Sequence, residues 1–274
     1  MQNTSGKWLV ASDIDGTLNS KARKLPKRNG EAIDKFISEG GYFTLASGRP
    51  IKSLKRAWKT VKTSCPVVAL NGGLIYDFNE RKVVKKMPIP KEGQEFVKKV
   101  AREYKGILSV DVGIFGAERA YVVKHGLMAL CQVFFDRVPH KITDFESIPE
   151  DDWCKVIFWG FPPAIKKLKE EAAKHPEAGN FMSSSIVTFE MLAPNVHKGT
   201  GVMELAGMLG VDKDHTAGIG DYFNDWDMLK TVGFPACAGQ APKEIREICK
   251  LVACHCNKGC VADLLEHIMS GKAK

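Results

Sequence analysis

Asp13 and Asp15 stand two residues apart at the end of the apolar run Leu9-Val10-Ala11, with Gly16 directly after them. Side chains two apart along a strand point the same way, so this spacing predicts two carboxylates brought together where a strand gives way to a loop. Like charges held that close need a cation, a hydrogen-bond donor or a shared proton. Three further polar clusters have comparable placements. Ser47-Gly48-Arg49 follows the apolar run ending at Ala46, Lys198 stands at the entrance to a helix in Asn195-Val196-His197-Lys198-Gly199, and Gly220-Asp221 with Asn224-Asp225 follows Thr216 to Ile219. The carboxyl ends of strands in an open parallel sheet face one crevice, so the four clusters are expected along a single edge.

The chemistry open to such a set is narrow. Asp13, Asp221 and neighbouring oxygens make a hard, all-oxygen site that suits Mg²⁺ better than zinc or copper. A serine hydroxyl, a glycine amide and a lysine ammonium are what cradling a tetrahedral phosphate requires. One aspartate can then attack phosphorus, and a second can protonate the leaving oxygen and later activate a water. Together these parts describe phosphoryl transfer through a phosphoaspartate.

The elements that must position them follow from periodicity. Strand signals at Leu9 to Ala11, Gly41 to Ala46 and Pro66 to Leu70 alternate with helical ones at Gly30 to Glu39 and Ile51 to Val61, which predicts a parallel sheet with helices on its faces. From about residue 80 the rhythm changes. A helix at Ile89 to Tyr104, hairpin-like strands at Ile107 to Val112 and Arg119 to Lys124, a helix at Leu127 to Phe135 and further strand material predict a separate α+β unit. After Ala193 the first rhythm returns. The expected architecture is an α/β domain of residues 1–80 and 194–274 interrupted by an α+β domain of residues 81–193.

Spacing supports the same division. About 30 residues separate Asp15 from Ser47, too few for a domain when domains start near roughly 50, whereas roughly 150 separate Ser47 from Lys198.

Composition excludes several classes. With 44% hydrophobic and 26% charged residues the chain reads as a globular protein, and no apolar stretch approaches the roughly 20 residues that span a bilayer. The polar start, Met1 to Lys7, carries no secretory signal, so a cytoplasmic location is expected. The net charge of +8 is spread along the chain with no basic run interleaved with aromatics; it predicts a solvated lysine-rich surface or a small anionic substrate, and no nucleic-acid partner. Cys249, Cys254, His255, Cys256 and Cys260 crowd together without zinc-pair spacing and read as reduced structural residues. His197 and His215 have no place in the chemistry above.

In these four clusters the chain resembles the haloacid dehalogenase superfamily of phosphohydrolases. Asp13-Ile14-Asp15-Gly16-Thr17-Leu18 is similar to its first motif, Ser47-Gly48-Arg49 to its second, Lys198 to its third, and Gly220-Asp221 with Asn224-Asp225 to its fourth. Ser47-Gly48-Arg49 and Asn71-Gly72-Gly73 narrow the resemblance to the Cof-like branch. That branch implies a Rossmann-like parallel-sheet core with an inserted type IIB cap. The resemblance further implies that Asp13 is the nucleophile and Asp15 the general acid and base. It implies that Asp13, the Asp15 backbone carbonyl and Asp221 hold Mg²⁺, and that Ser47, Gly48, Lys198 and Asn224 hold the phosphoryl group. Asp225 would orient the lysine or a metal ligand, and Arg49 and Asn71 would touch the substrate or the cap.

The expected function is a Mg²⁺-dependent phosphatase acting on a small phosphorylated metabolite, foremost a sugar phosphate. A phosphomutase is the alternative within the superfamily, and a catalytically silent binding protein the alternative outside enzymes.

Overall fold

The computed structural model describes residues 7–124, 126–135, 138–183 and 185–273. The chain divides into two compact units, one of Met1–Gly48, Lys55–Val84 and His197–Lys274, the other of Arg49–Leu54 and Lys85–Val196. The first unit opens with β1 (Leu9–Ser12), α1 (Lys27–Ser38), β2 (Tyr42–Leu45), α2 (Ile51–Val61) and β3 (Val67–Ala69). A hairpin of β4 (Leu74–Asp77) and β5 (Lys82–Lys86) then carries the chain into the second unit.

The second unit contains α3 (Lys91–Glu103), β6 (Val110–Phe115), β7 (Ala120–Lys124), α4 (Leu127–Phe135), β8 (His140–Ile142), β9 (Lys155–Gly160), α5 (Pro162–Ala172), β10 (Asn180–Ser183) and β11 (Thr188–Leu192). The first unit resumes with α6 (Lys198–Leu209), β12 (Thr216–Gly220), α7 (Trp226–Thr231), β13 (Phe234–Cys237), α8 (Lys243–Glu247), β14 (Leu251–Val252) and α9 (Cys260–Met269).

The sheet of the first unit is five-stranded in the order β14-β13-β12-β1-β2, with parallel pairing throughout. Leu9, Val10 and Ala11 are fully buried, as the unbroken apolar run of a strand covered on both faces must be. Burial of Leu9 or Val10 contributes about 1.5–3 kcal/mol each. The strand order reverses between β1 and β12, and ligands of open α/β sheets bind at such a switch point. Ser12 is in register with both Leu45 and Ile219, so the chains leaving β1, β2 and β12 emerge at one level. The buried Asn29 on α1 donates to the Leu18 carbonyl at 2.8 Å and accepts from the Ala262 amide at 3.0 Å, pinning the end of the loop after β1 to α9.

The second unit is a six-stranded sheet in the order β10-β11-β9-β6-β7-β8, antiparallel except for β7 with β8. Its core joins Val97 and Val100 of α3 and Ile165 and Leu168 of α5 with Val112, Ile114, Val156, Phe158 and Met191 of the sheet. Two polar groups stiffen it. Lys155 and Glu190 form a buried ion pair at 2.7 Å. Asp152 accepts from the Tyr121 hydroxyl at 2.9 Å and the Ala117 amide at 3.0 Å; burial alone would raise its pKa, yet these donors and Lys86 hold it below the usual value.

The α/β reading with an α+β insertion describes this fold, and the differences lie in individual strands. The first hairpin strand of the second unit runs from Val110, because Gly106–Leu108 forms a single 3₁₀ turn. Strands β4, β5 and β8 were not anticipated. The sequences Lys-Val-Val-Lys-Lys of β5 and His-Lys-Ile of β8 present no buried face, so no alternation marks them.

Candidate active site

The loop after β1 turns tightly: the Leu18 amide donates to the Asp13 carbonyl at 3.2 Å and the Asn19 amide to that of Ile14 at 2.9 Å. Strand geometry ends at Ser12, so alternation does not extend through the aspartates. Asp13 is buried and Asp15 exposed. Gly16 has φ +78, and a Cβ there would lie 2.3 Å from Oδ2 of Asp221, so glycine is required both by the backbone and by the carboxylate against it.

Lys198 is the first residue of α6, and His197 sets it there. The His197 Nδ1 accepts from the Gly199 amide at 3.1 Å and the Thr200 amide at 3.4 Å, while the Thr200 hydroxyl accepts from the His197 amide at 2.9 Å. His197 is therefore a helix cap, and burial holds its pKa below the ordinary value, as an acceptor nitrogen requires. The Lys198 ammonium, almost fully buried, donates to Asp13 Oδ1 and to Asp225 Oδ1, both at 2.6 Å.

Asp225 ends the turn after β12. Its Oδ2 accepts from the amides of Asp221 at 3.0 Å and Tyr222 at 3.4 Å, so both of its oxygens are engaged. The Asp221 carboxylate accepts from the Thr17 hydroxyl at 3.3 Å. Among the described residues, Asp13, Asp221 and Asp225 can bring one oxygen each within 4.8 Å of one another.

At the end of β2, Ser47 is buried, its amide donating to Val68 at 2.9 Å and its carbonyl accepting from Asn71 at 3.0 Å. Leu70 and Asn71 have φ of +52 and +56, a strained pair that turns the buried Asn71 side chain against Gly48. A Cβ at Gly48 would lie 2.7 Å from Asn71 Oδ1, so these two residues fix the Ser47-Gly48 loop. Asn224 is exposed in the turn with Asp225, and Arg49 opens the stretch grouped with the second unit.

The electrostatics of the group are unbalanced. Among the described residues, the three carboxylates outnumber the one ammonium paired with them by two charges. Burial, then the charge of Asp225, pushes Asp13 up to about 7 against the pull of Lys198. Burial and Asp225 likewise push Asp221 up to about 6. Burial alone would lower the Lys198 pKa, but Asp13 and Asp225 raise it above the ordinary value. An all-oxygen site with this excess charge fits a hard divalent cation.

Both raised carboxylates bind protons more tightly folded than unfolded, so the metal-free protein is expected to lose stability as pH rises from about 4 to about 7. Mg²⁺ should accordingly raise the Tm more at about pH 8 than at about pH 5, as thermal unfolding with and without MgCl₂ will measure. Equal shifts at both values would refute the charge imbalance.

Sequence reasoning missed Gln240 and gave Thr17, part of the first motif, no role of its own. Gln240 follows the end of β13 by three residues, and the logic that flagged the other clusters, a polar residue just beyond a strand, would have found it. All eight cysteines are free thiols. Cys260 donates to the Thr17 carbonyl at 3.2 Å, a supporting contact behind the site.

The chain belongs to the haloacid dehalogenase-like hydrolase family, whose pattern matches residues 10–265. The protein M6_Spy0533 of Streptococcus pyogenes is 26% identical over 254 residues, covering 89% of this chain and 91% of that one. The 5-amino-6-(5-phospho-D-ribitylamino)uracil phosphatase YwtE of Bacillus subtilis is 23% identical, covering 96% of this chain and 98% of its own. Among solved structures, the subclass IIB sugar phosphatase BT4131 superposes with a TM-score of 0.76 at 19% identity, covering 96% of this chain and 99% of that chain.

Proposed function

We propose that this hydrolase is a Mg²⁺-dependent phosphatase acting on a small phosphorylated metabolite, foremost a sugar phosphate, in the cytoplasm. The observation that carries the reading is Asp13, held on Lys198 at 2.6 Å beside Asp221 at the switch point of the sheet. Lys198 occupies Oδ1 of Asp13 and leaves Oδ2 to attack phosphorus, forming a phosphoaspartate as the bond to the leaving oxygen breaks. Asp15, exposed where Asp13 is buried, gives its proton to that oxygen and then takes one from the water that hydrolyses the phosphoaspartate. Ser47, Gly48, Lys198 and Asn224 are assigned to the phosphoryl oxygens, and Arg49 and Asn71 to the substrate side. Asp13, the Asp15 carbonyl and Asp221 would hold the cation, with Asp225 orienting Lys198. A bound Mg²⁺ would neutralise the excess charge and draw electrons from a phosphoryl oxygen.

The inserted unit, residues 81–193, is read as the cap that discriminates among substrates. Support for small phosphorylated metabolites comes from YwtE, named for a phosphorylated ribityl compound, and from BT4131, a sugar phosphatase.

The test is phosphate release across a panel of phosphorylated metabolites with MgCl₂ and with EDTA. Release with Mg²⁺ from at least one sugar or ribityl phosphate, abolished by EDTA, is expected. Isomerisation of a hexose 1-phosphate without release would establish a mutase instead, and no turnover of any member would indicate a binding protein.

A further inference from the structure

Gln240 hydrogen-bonds through both ends of its side-chain amide. Nε2 donates to the Gly16 carbonyl at 2.6 Å, and Oε1 accepts from the Cys256 amide at 3.0 Å. The side chain also reaches the Asp221 carboxylate, where its hydrogen bonding pulls the pKa down against burial. These three partners lie on separate loops, 224, 19 and 16 residues away in sequence.

The other contacts of these loops show what the amide is attached to. Gly16 follows Asp15 and lies directly against Asp221. Cys256 belongs to the crowded cysteine stretch, whose Asn257 accepts from the Lys21 amide at 3.0 Å and whose Cys260 donates to Thr17 at 3.2 Å. That stretch is thus a brace behind the loop after β1, and Gln240 couples the brace to the acidic group.

We infer that Gln240 is a positioning residue for the divalent-cation site: one amide sets the Asp221 carboxylate and the Asp15-Gly16 turn at a fixed separation and ties both to the Cys256–Cys260 brace. The inference rests on the phosphatase reading only for the identity of the cation. Amide chemistry is needed because a carboxylate at this position would face Asp221 with like charge and donate to neither partner. A shorter amide cannot span all three partners.

The test is MgCl₂ titration of the full chain, followed by thermal shift, for the wild type, Gln240→Met and Gln240→Asn. Partners behind a metal ligand typically set affinity by roughly 10–100-fold, so Gln240→Met is expected to raise the Mg²⁺ dissociation constant about tenfold. Gln240→Asn should fall between it and the wild type. With saturating Mg²⁺, the KM for substrate should stay within about twofold while kcat falls.

Folded variants that bind Mg²⁺ as the wild type does would overturn the inference. Loss of a cooperative transition in both variants would also overturn it, since Gln240 would then serve the fold rather than the site. A wild type without Mg²⁺-dependent stabilisation overturns it together with the metal reading. A wild type that binds Mg²⁺ and releases no phosphate ends the phosphatase reading alone and, with the expected affinity losses, upholds Gln240.

Discussion

Asp13→Asn is expected to lower kcat by more than about 10⁴-fold, as removal of a covalent nucleophile does elsewhere, and to leave the fold intact. The asparagine is isosteric and its carbonyl oxygen can still accept from Lys198, so the 2.6 Å contact survives in shape. What disappears is the second carboxylate oxygen, replaced by an amide nitrogen that cannot attack phosphorus. Stability should move the other way. Asp13 is a carboxylate whose charged form the fold disfavours, with its pKa pushed up to about 7 by burial and by Asp225. Removing that charge relieves the cluster, so the metal-free variant at about pH 8 should unfold at a temperature no lower than the wild type's. Phosphate release and thermal unfolding of the same preparation check both halves. Residual turnover near the wild-type rate would remove Asp13 from the role of nucleophile.

Why part of this arrangement is readable in the residues and part is not can be traced to range. Leu9-Val10-Ala11 and Ala217-Gly218-Ile219 are apolar without a break, which marks strands covered on both faces, and the polar residues following them must lie at a strand end. Four clusters could therefore be placed on one edge from local pattern alone. The unequal burial of Asp13 and Asp15 could not, because it depends on β1 stopping at Ser12, where the Asp13 amide pairs with the Ile219 carbonyl across the switch point at 3.0 Å. The left-handed Leu70 and Asn71 carry no glycine signal, since their strain is maintained by surrounding contacts rather than by residue type. Gln240 stands three residues beyond β13, where the strand-end pattern can mark it, but its partners are fixed by tertiary structure and cannot be read from Ala238-Gly239-Gln240-Ala241. The residues alone give His197 no place in the chemistry; the structure gives it work as the cap of α6, where it sets the position of Lys198.

Lys198→Met should damage stability as well as activity, which distinguishes it from Asp13→Asn. The methionine fills much of the same buried volume, so the loss measures charge rather than a cavity. Without the ammonium, Asp13 and Asp225 face each other and Asp221 with no compensating cation, and breaking a buried pair in this way costs about 3–5 kcal/mol. The raised pKa of Lys198 adds stability that is fully present below the ordinary lysine value, so the wild type retains it throughout the neutral range. The loss should depend on pH with a definite sign. At about pH 8 the carboxylates are charged and the full penalty applies, whereas at about pH 5 Asp13 and Asp221 take up protons and the penalty shrinks. Urea unfolding of wild type and variant at the two pH values measures the difference directly. A penalty that did not change between them would mean that Lys198 acts through packing, and the ion-pair account of how Asp13 is held would fail with it.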